Sequence, residues 1–207
     1  MGKSELNIGL LGGTFDPPHI AHLRIAEETR EAFQLDEIWF IPASNPPHKG
    51  KPEAPYEARL EMLKVSVKGN PFFKCLDLER DENPSYTLKT LEKLHSLYHN
   101  HKFYLLLGWD AFSEIETWWH YEKFLDYADI IVLSRGEGDW SKAENLVRTK
   151  ALSLWGDKAK GRIYFLPVSS LEISSTKIRE LIKKGKSIRY LVPEEVFFYI
   201  QNSSLYR

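Results

Sequence analysis

One cysteine among 207 residues, Cys75, excludes two kinds of chemistry at once. A disulfide within the chain needs a second thiol, and a cysteine-based zinc site needs more still. Cys75 lies in a strand-like apolar run, Phe72 to Leu76, which suits a small packed side chain better than a nucleophile. No apolar run is long enough to cross a bilayer, and the opening MGKSELN lacks the apolar stretch of a signal peptide. Gly2 stands where a myristoylated chain carries its glycine, but the sixth residue is Leu, not Ser or Thr. The expectation is a cytoplasmic protein. An excess of one charge is also missing: 28 basic and 29 acidic residues leave a net −1. No overall field draws the chain to nucleic acid or to a membrane, so an anionic ligand needs a local cradle.

Two glycine patterns that announce nucleotide binding are absent as well. No GxGxxG follows the first apolar run. Gly156 and Gly161 have the spacing of a P-loop, but Arg162 follows and the next segment reads as a strand. Gly185-Lys186-Ser187 lacks its partner glycine, because position 180 is Glu. Hydride transfer on a dinucleotide fingerprint and P-loop hydrolysis therefore have no support. There is no internal repeat and no low-complexity segment.

What is present is a core. Hydrophobic residues make up 43% and aromatics 13%, enough for a substantial folded domain. Apolar runs that read as strands occur at Asn7–Leu11, Glu37–Pro42, Phe72–Leu76, Phe103–Leu107, Ile130–Leu133 and Ile163–Leu166. Helical patterns fill the gaps at His19–Ala32, Ala54–Val67, Thr87–Tyr98 and Ser141–Leu154. In the third of these, Leu88, Leu91, Leu94 and Leu97 share a face. Ala111–Leu125 carries a helical pattern, in one piece or two, with one of Trp118 and Trp119 expected in the core. Ser175–Lys184 and Pro193–Gln201 close the chain as helices, with Gly185 as the stop of the first. Strands alternating with helices predict an α/β fold: a Rossmann-like, doubly wound, mainly parallel sheet with helices on both faces. Residues 1–207 read as one domain, with 167–207 a helical extension. Ligands of such sheets bind beyond the carboxyl ends of the strands.

Two strings carry chemistry. The first is GGTFDPPHIAH, Gly12 to His22, directly after the first strand. Gly12 and Gly13 let a ligand approach the backbone closely. Pro17 and Pro18 stiffen the turn and set a helix start near His19. His19 and His22 are three apart, so they share a face of the first helical turn, where N–H groups and partial positive charge collect. Two imidazoles with helix-terminal amides form an anion cradle without a lysine. A tight turn with packed histidines accounts for either glycine alone, but not for the whole string. Zinc on HxxH, without the Glu of HExxH or nearby Cys, is a poor fit. The second string is ISSTKIR, Ile173 to Arg179, at another helix start. Serine there is a natural N-cap, yet Ser175, Thr176 and Arg179 add hydroxyls and a guanidinium suited to phosphate. Two helix starts at one sheet edge can hold a triphosphate from two sides.

With both strings in hand, the chain resembles the HxGH nucleotidyltransferases, and among them the bacterial nicotinate-mononucleotide adenylyltransferases. The likeness runs from about Ile8 to the last helix. It includes Pro46-Pro47-His48-Lys49 with Arg59, Asn83-Pro84-Ser85-Tyr86-Thr87, Gly108-Trp109-Asp110, Thr117-Trp118 and Ser134-Arg135-Gly136. Ala21 stands where members often carry Gly, and Gly136-Glu137-Gly138 replaces a frequent Pro-Gly after Arg135.

The resemblance implies transfer of the adenylyl group of ATP to nicotinate mononucleotide, with Mg²⁺ held mainly by ATP phosphates and water. It implies that Gly12, Gly13, Thr14, Phe15, Gly108, Asp110, Arg135, Ser174, Ser175 and Thr176 hold ATP. It assigns His19, His22, Lys49 and Arg179 to the reacting phosphates. It assigns His48, Thr87 and Trp118 to the nicotinate nucleotide, Trp118 by stacking. It implies no protein metal site, no nucleic acid and no membrane, and leaves a homo-oligomer open. A nicotinamide-mononucleotide enzyme, a non-catalytic ATP-binding protein and a zinc hydrolase stay open beside it. Phosphopantetheine adenylyltransferases share the first and last motifs but are shorter and lack the PSYT and TW segments.

Overall fold

Six short apolar runs become strands of a parallel sheet, the inner four buried on both faces and the two at the edges only in part. The computed structural model describes residues 5–47, 50–135 and 139–207. In chain order the elements are β1 (Asn7–Gly13), α1 (Ile20–Ala32), β2 (Glu37–Pro42), α2 (Tyr56–Val67), β3 (Phe73–Cys75), α3 (Thr87–Leu97) and β4 (Lys102–Gly108). They continue with α4 (Trp109–Ser113), α5 (Phe124–Tyr127), β5 (Asp129–Arg135), α6 (Trp140–Trp155), β6 (Ile163–Val168), α7 (Ser175–Lys183) and α8 (Glu194–Ser203). The strand order is β3-β2-β1-β4-β5-β6, the doubly wound order expected of a Rossmann-like fold. Pairing is parallel, with Leu10 opposite Leu105 and Val132 opposite Phe165.

The chain divides into two compact units. The first holds the residues up to Leu11, Glu28–Glu37 and Tyr86–Ser170. Its core is built on β5, where Ile130, Ile131 and Val132 are fully buried together with Phe112, Phe124 and Leu125. The second holds Gly12–Glu27, Ile38–Ser85 and Leu171–Arg207. There Met62 of α2, Ile178 of α7 and Val196 and Ile200 of α8 pack around Ala54, Ile188, Val192 and Tyr206.

Three local expectations are corrected. Ala111–Leu125 is four short pieces: α4, 3-10 turns at Ile115–Thr117 and Tyr121–Lys123, and α5. Ser113 Oγ donates to the Asp110 carbonyl and Thr117 Oγ1 to the Glu114 carbonyl, both at 2.7 Å. Such back-bonds compete with helix continuation. Trp118 is extended (φ −82°, ψ 141°) and His120 is left-handed (φ 52°), so the helix cannot run through them. Neither tryptophan is core: Trp118 is half-buried and Trp119 is exposed. Leu97, at the end of α3, points out of the leucine face at 56% exposure. The stop at Gly185 is as expected. Gly185 is left-handed, and the N–H groups of Gly185 and Lys186 close back on Ile182 and Leu181. Burial pushes the Cys75 thiol up to about 12, so it stays protonated and unreactive.

Candidate active site

In the second unit the two phosphate motifs meet. Ser175 Oγ, at the start of α7, donates to the Pro17 carbonyl at 2.8 Å. Arg179 Nη1, one turn on, donates to the Asp16 carbonyl at 2.7 Å. Arg179 Nε also bonds Glu53 Oε1 at 2.9 Å, and Lys183 holds the other Glu53 oxygen at 2.8 Å. These cations, Lys183 first, hold the Glu53 carboxyl below its ordinary pKa. The arginine side chain is 18% exposed.

The two helix starts differ in a way the sequence did not announce. At α1 three of the amides expected to cradle an anion, those of His19, Ile20 and His22, are already engaged. The Ile20 N–H donates to the Leu191 carbonyl (3.0 Å), and the His22 N–H to the His19 carbonyl (2.9 Å). The His19 N–H donates to His22 Nδ1 (3.2 Å). With Nδ1 accepting, neutral His22 carries its proton on Nε2. The His19 and His22 rings stack at 3.6 Å, with His19 buried and His22 half-exposed. At α7 the N-cap is Ser174, whose Oγ accepts from the Lys177 N–H at 3.2 Å. The N–H groups of Ser175 and Thr176 have no hydrogen-bond partner among the described residues, so the start of α7 is more open than that of α1.

The glycines divide their work. A Cβ on Gly12 would meet nothing within 4 Å, so that position keeps space for a ligand. A Cβ on Gly13 would press the Phe15 ring at 3.1 Å. Gly13 therefore makes room for Phe15, which is 2% exposed and packs edge-on to His22 at 5.0 Å. Only the backbone of Phe15, held at φ 50°, is available to a ligand. Ala21 is buried, so its methyl fills interior space. Thr14 Oγ1 is buried with no partner among the described residues.

Three residues do more than their sequence context suggested. Arg59 of α2 is 1% exposed, and its guanidinium bonds four carbonyls: Thr14 (2.7 Å), Ala43 (2.6 Å), Ser44 (3.0 Å) and Ala54 (3.2 Å). It thereby ties the loop after β1 to the loop after β2. Burial lowers its pKa and the nearby Asp16 carboxylate opposes that shift. Asp16 accepts from the Glu53 N–H (2.7 Å), the Ala54 N–H (3.1 Å) and the Tyr206 hydroxyl (2.7 Å). Ser85 Oγ accepts the N–H groups of Ser44 and Asn45 at 3.0 and 3.1 Å, fixing the segment that leads to His48. His48 and Lys49 themselves lie outside the described residues.

The first unit carries the remaining candidates. Gly108 ends β4 and caps α4, and a Cβ there would meet nothing. Asp110 follows in the first turn of α4 and is exposed. Thr87 opens α3 behind Tyr86, which places no side chain over the helix start. Trp118 packs edge-on to Phe124 at 6.3 Å, and Trp119 lies over Tyr86 at 4.9 Å. Lys150 of α6 reaches both Glu116 oxygens (2.8 and 2.7 Å) and the Ser113 carbonyl (2.8 Å), pinning the turn that leads to Trp118. Arg135 ends β5, and Gly136-Glu137-Gly138 lie outside the described residues. Among the described residues no group of three His, Cys, Asp or Glu could hold a metal. Among them, too, no helix is long and apolar enough to cross a membrane.

Known proteins resemble the chain in sequence and in fold. The cytidylyltransferase-like family matches residues 10–181. A Pseudomonas fluorescens protein named "probable nicotinate-nucleotide adenylyltransferase" is 42% identical over 100% of this chain and 99% of its own. A Desulfitobacterium hafniense protein of the same name is 43% identical, covering 97% of this chain and 95% of its own. The Plasmodium falciparum nicotinic acid mononucleotide adenylyltransferase complexed with NaAD superposes with a TM-score of 0.77. It covers 98% of both chains at 23% identity, a likeness of fold. On the sequence evidence, the chain belongs to the cytidylyltransferase-like nucleotidyltransferases, among the nicotinate-nucleotide adenylyltransferases.

Proposed function

We propose that this chain transfers the adenylyl group of ATP to nicotinate mononucleotide, releasing pyrophosphate and forming nicotinate adenine dinucleotide. One observation carries the reading. In a chain of this family, the ISSTKIR helix is bonded directly to the GGTFDPPH loop through Ser175 and Arg179. ATP would enter as its magnesium complex, the metal lowering the charge on its phosphates.

The 5′-phosphate oxygen of nicotinate mononucleotide attacks the α-phosphorus in line. The bond to the bridging oxygen breaks, and its electron pair leaves with pyrophosphate. The nucleophile is already an anion, so no general base is required. The protein's task is alignment and charge stabilisation. His22 offers Nε2–H to a phosphate oxygen, and the buried His19 ring beneath it holds its orientation. The open amides of Ser175 and Thr176, the hydroxyls of Ser174 and Thr176, and the Arg179 guanidinium receive the triphosphate. Gly12 leaves the approach clear, the backbone of Gly13 and Phe15 follows it, and Thr14 offers its buried hydroxyl. Gly108 and Asp110 take the ribose, and Arg135 lies along the nucleotide. Thr87 offers backbone amides to the nicotinate carboxylate, Trp118 stacks on the ring, and His48 and Lys49 meet phosphate.

Pyrophosphate release from ATP and Mg²⁺, with nicotinate and nicotinamide mononucleotide offered in turn, tests this. A site reading a carboxylate by N–H donors should favour nicotinate by about tenfold or more in kcat/KM. Preference for the amide would overturn the acceptor. Binding of ATP without pyrophosphate release would overturn the activity.

A further inference from the structure

Tyr206 sits at the far end of the described chain from the GGTFDPPH loop, yet its hydroxyl donates to Asp16 Oδ1 at 2.7 Å, across 190 positions. Its backbone is left-handed (φ 65°) and its side chain is 7% exposed, packed in the cluster of α2, α7 and α8. Tyr206 is therefore held from behind, by packing, and presents one polar atom to one carboxylate.

We infer that Tyr206 is a positioning residue for the triphosphate side of the reaction, acting through Asp16 on Arg179. Asp16 governs both anchors of that arginine. Its own carbonyl accepts Arg179 Nη1, and its Oδ2 accepts the Glu53 N–H, which sets the residue whose carboxylate accepts Arg179 Nε. Oδ1 is shared between the Ala54 N–H and Tyr206. Without the phenol, Oδ1 keeps a single donor at 3.1 Å, and the carboxylate can turn about its χ torsions. Any such turn shifts Glu53 and Arg179 together. Burial and the Asp16 charge raise the Tyr206 pKa, so the phenol remains a donor throughout the working pH range. Its hydroxyl bonds Asp16. Its effect passes through Asp16.

The inference rests on the reading that Arg179 meets ATP, and a double-mutant cycle separates the two. Tyr206→Phe keeps the packed ring and removes one hydrogen bond to a charged group. Arg179→Ala removes the guanidinium. KM and kcat for each substrate are measured on the full chain with melting curves alongside. Tyr206→Phe should raise KM for ATP about tenfold and leave KM for nicotinate mononucleotide within about twofold, matching the loss of a charge-assisted bond on one side only. In the Arg179→Ala background the same change should have no further effect on KM for ATP. Three results overturn the inference: an unchanged KM for ATP in Tyr206→Phe, equal rises in both KM values as a general loosening would give, or independent effects in the double variant. An Arg179→Ala variant with parental KM for ATP would instead refute the placement of Arg179 at ATP.

Discussion

The two units hold their candidate residues by opposite means. In the second unit the phosphate motifs are clamped from inside. Arg59 bonds four carbonyls, Asp16 takes three donors, and α7 is tied to the Pro17 and Asp16 carbonyls. In the first unit the candidates ride on short pieces. Asp110 is on a five-residue helix, Trp118 follows a three-residue turn, and one ion pair with 22% and 44% exposed partners pins that turn. The difference matches the two tasks proposed for them. Charge stabilisation during phosphoryl-type transfer depends on donors fixed before the reaction. Stacking on an aromatic ring tolerates adjustment, because the face is broad.

The sharpest way to break this contrast is Arg59→Met. It strands four carbonyl oxygens and removes one of the two cations beside Asp16, leaving Arg179 at 3.9 Å. The expected loss is about 3–5 kcal/mol of folding free energy, the usual cost of removing one partner from a buried charged network. Urea denaturation measures it. A loss below about 1 kcal/mol would mean that the clamp is ornamental and the two units are alike.

Trp118→Ala probes the other unit. The ring is half-buried and touches Phe124, so stability should change little. KM for nicotinate mononucleotide should rise about tenfold, in the range of one aromatic–base stack. KM for ATP should stay at the parental value. A fall in the urea midpoint like that of Arg59→Met would show that Trp118 is framework, and an altered KM for ATP would misplace it.

The same contrast explains what the sequence could announce. Strand and helix order was legible because apolar runs such as IIVL and the leucine face of α3 follow the sheet and helix periods directly. The two phosphate strings were legible because hydroxyls, imidazoles and prolines cluster within a few positions. The clamp was not. Arg59 entered only as part of the family likeness, with no role, and nothing local says that four carbonyls converge on it. Asp16 reads as a turn residue, and its link to Tyr206 spans nearly the whole chain. Helix-start chemistry suggested open amides at both motifs, but α1 has those of His19, Ile20 and His22 taken by the Leu191 carbonyl and by the histidine pair. Periodicity extended a helix through Trp118 because it cannot see Thr117 turning back on Glu114.

The smallest expected effect belongs to Lys150→Met, and it refines the contrast. Lys150 is the main polar support of the turn before Trp118, yet its partner Glu116 lies in solvent. Exposed pairs contribute little, so KM for nicotinate mononucleotide should rise no more than about two- to threefold. The difference from the parent should shrink in high salt, since screening already weakens the pair there. Its pH dependence has a definite sign. Lys150 lowers the Glu116 pKa beneath its ordinary 4.5. The pair is therefore fully formed above that value and is lost as pH falls through the depressed one. Parent and variant should differ by a constant factor from about pH 5 upward and converge only in acid. A larger effect, insensitive to salt, would mean that the first unit is clamped as rigidly as the second.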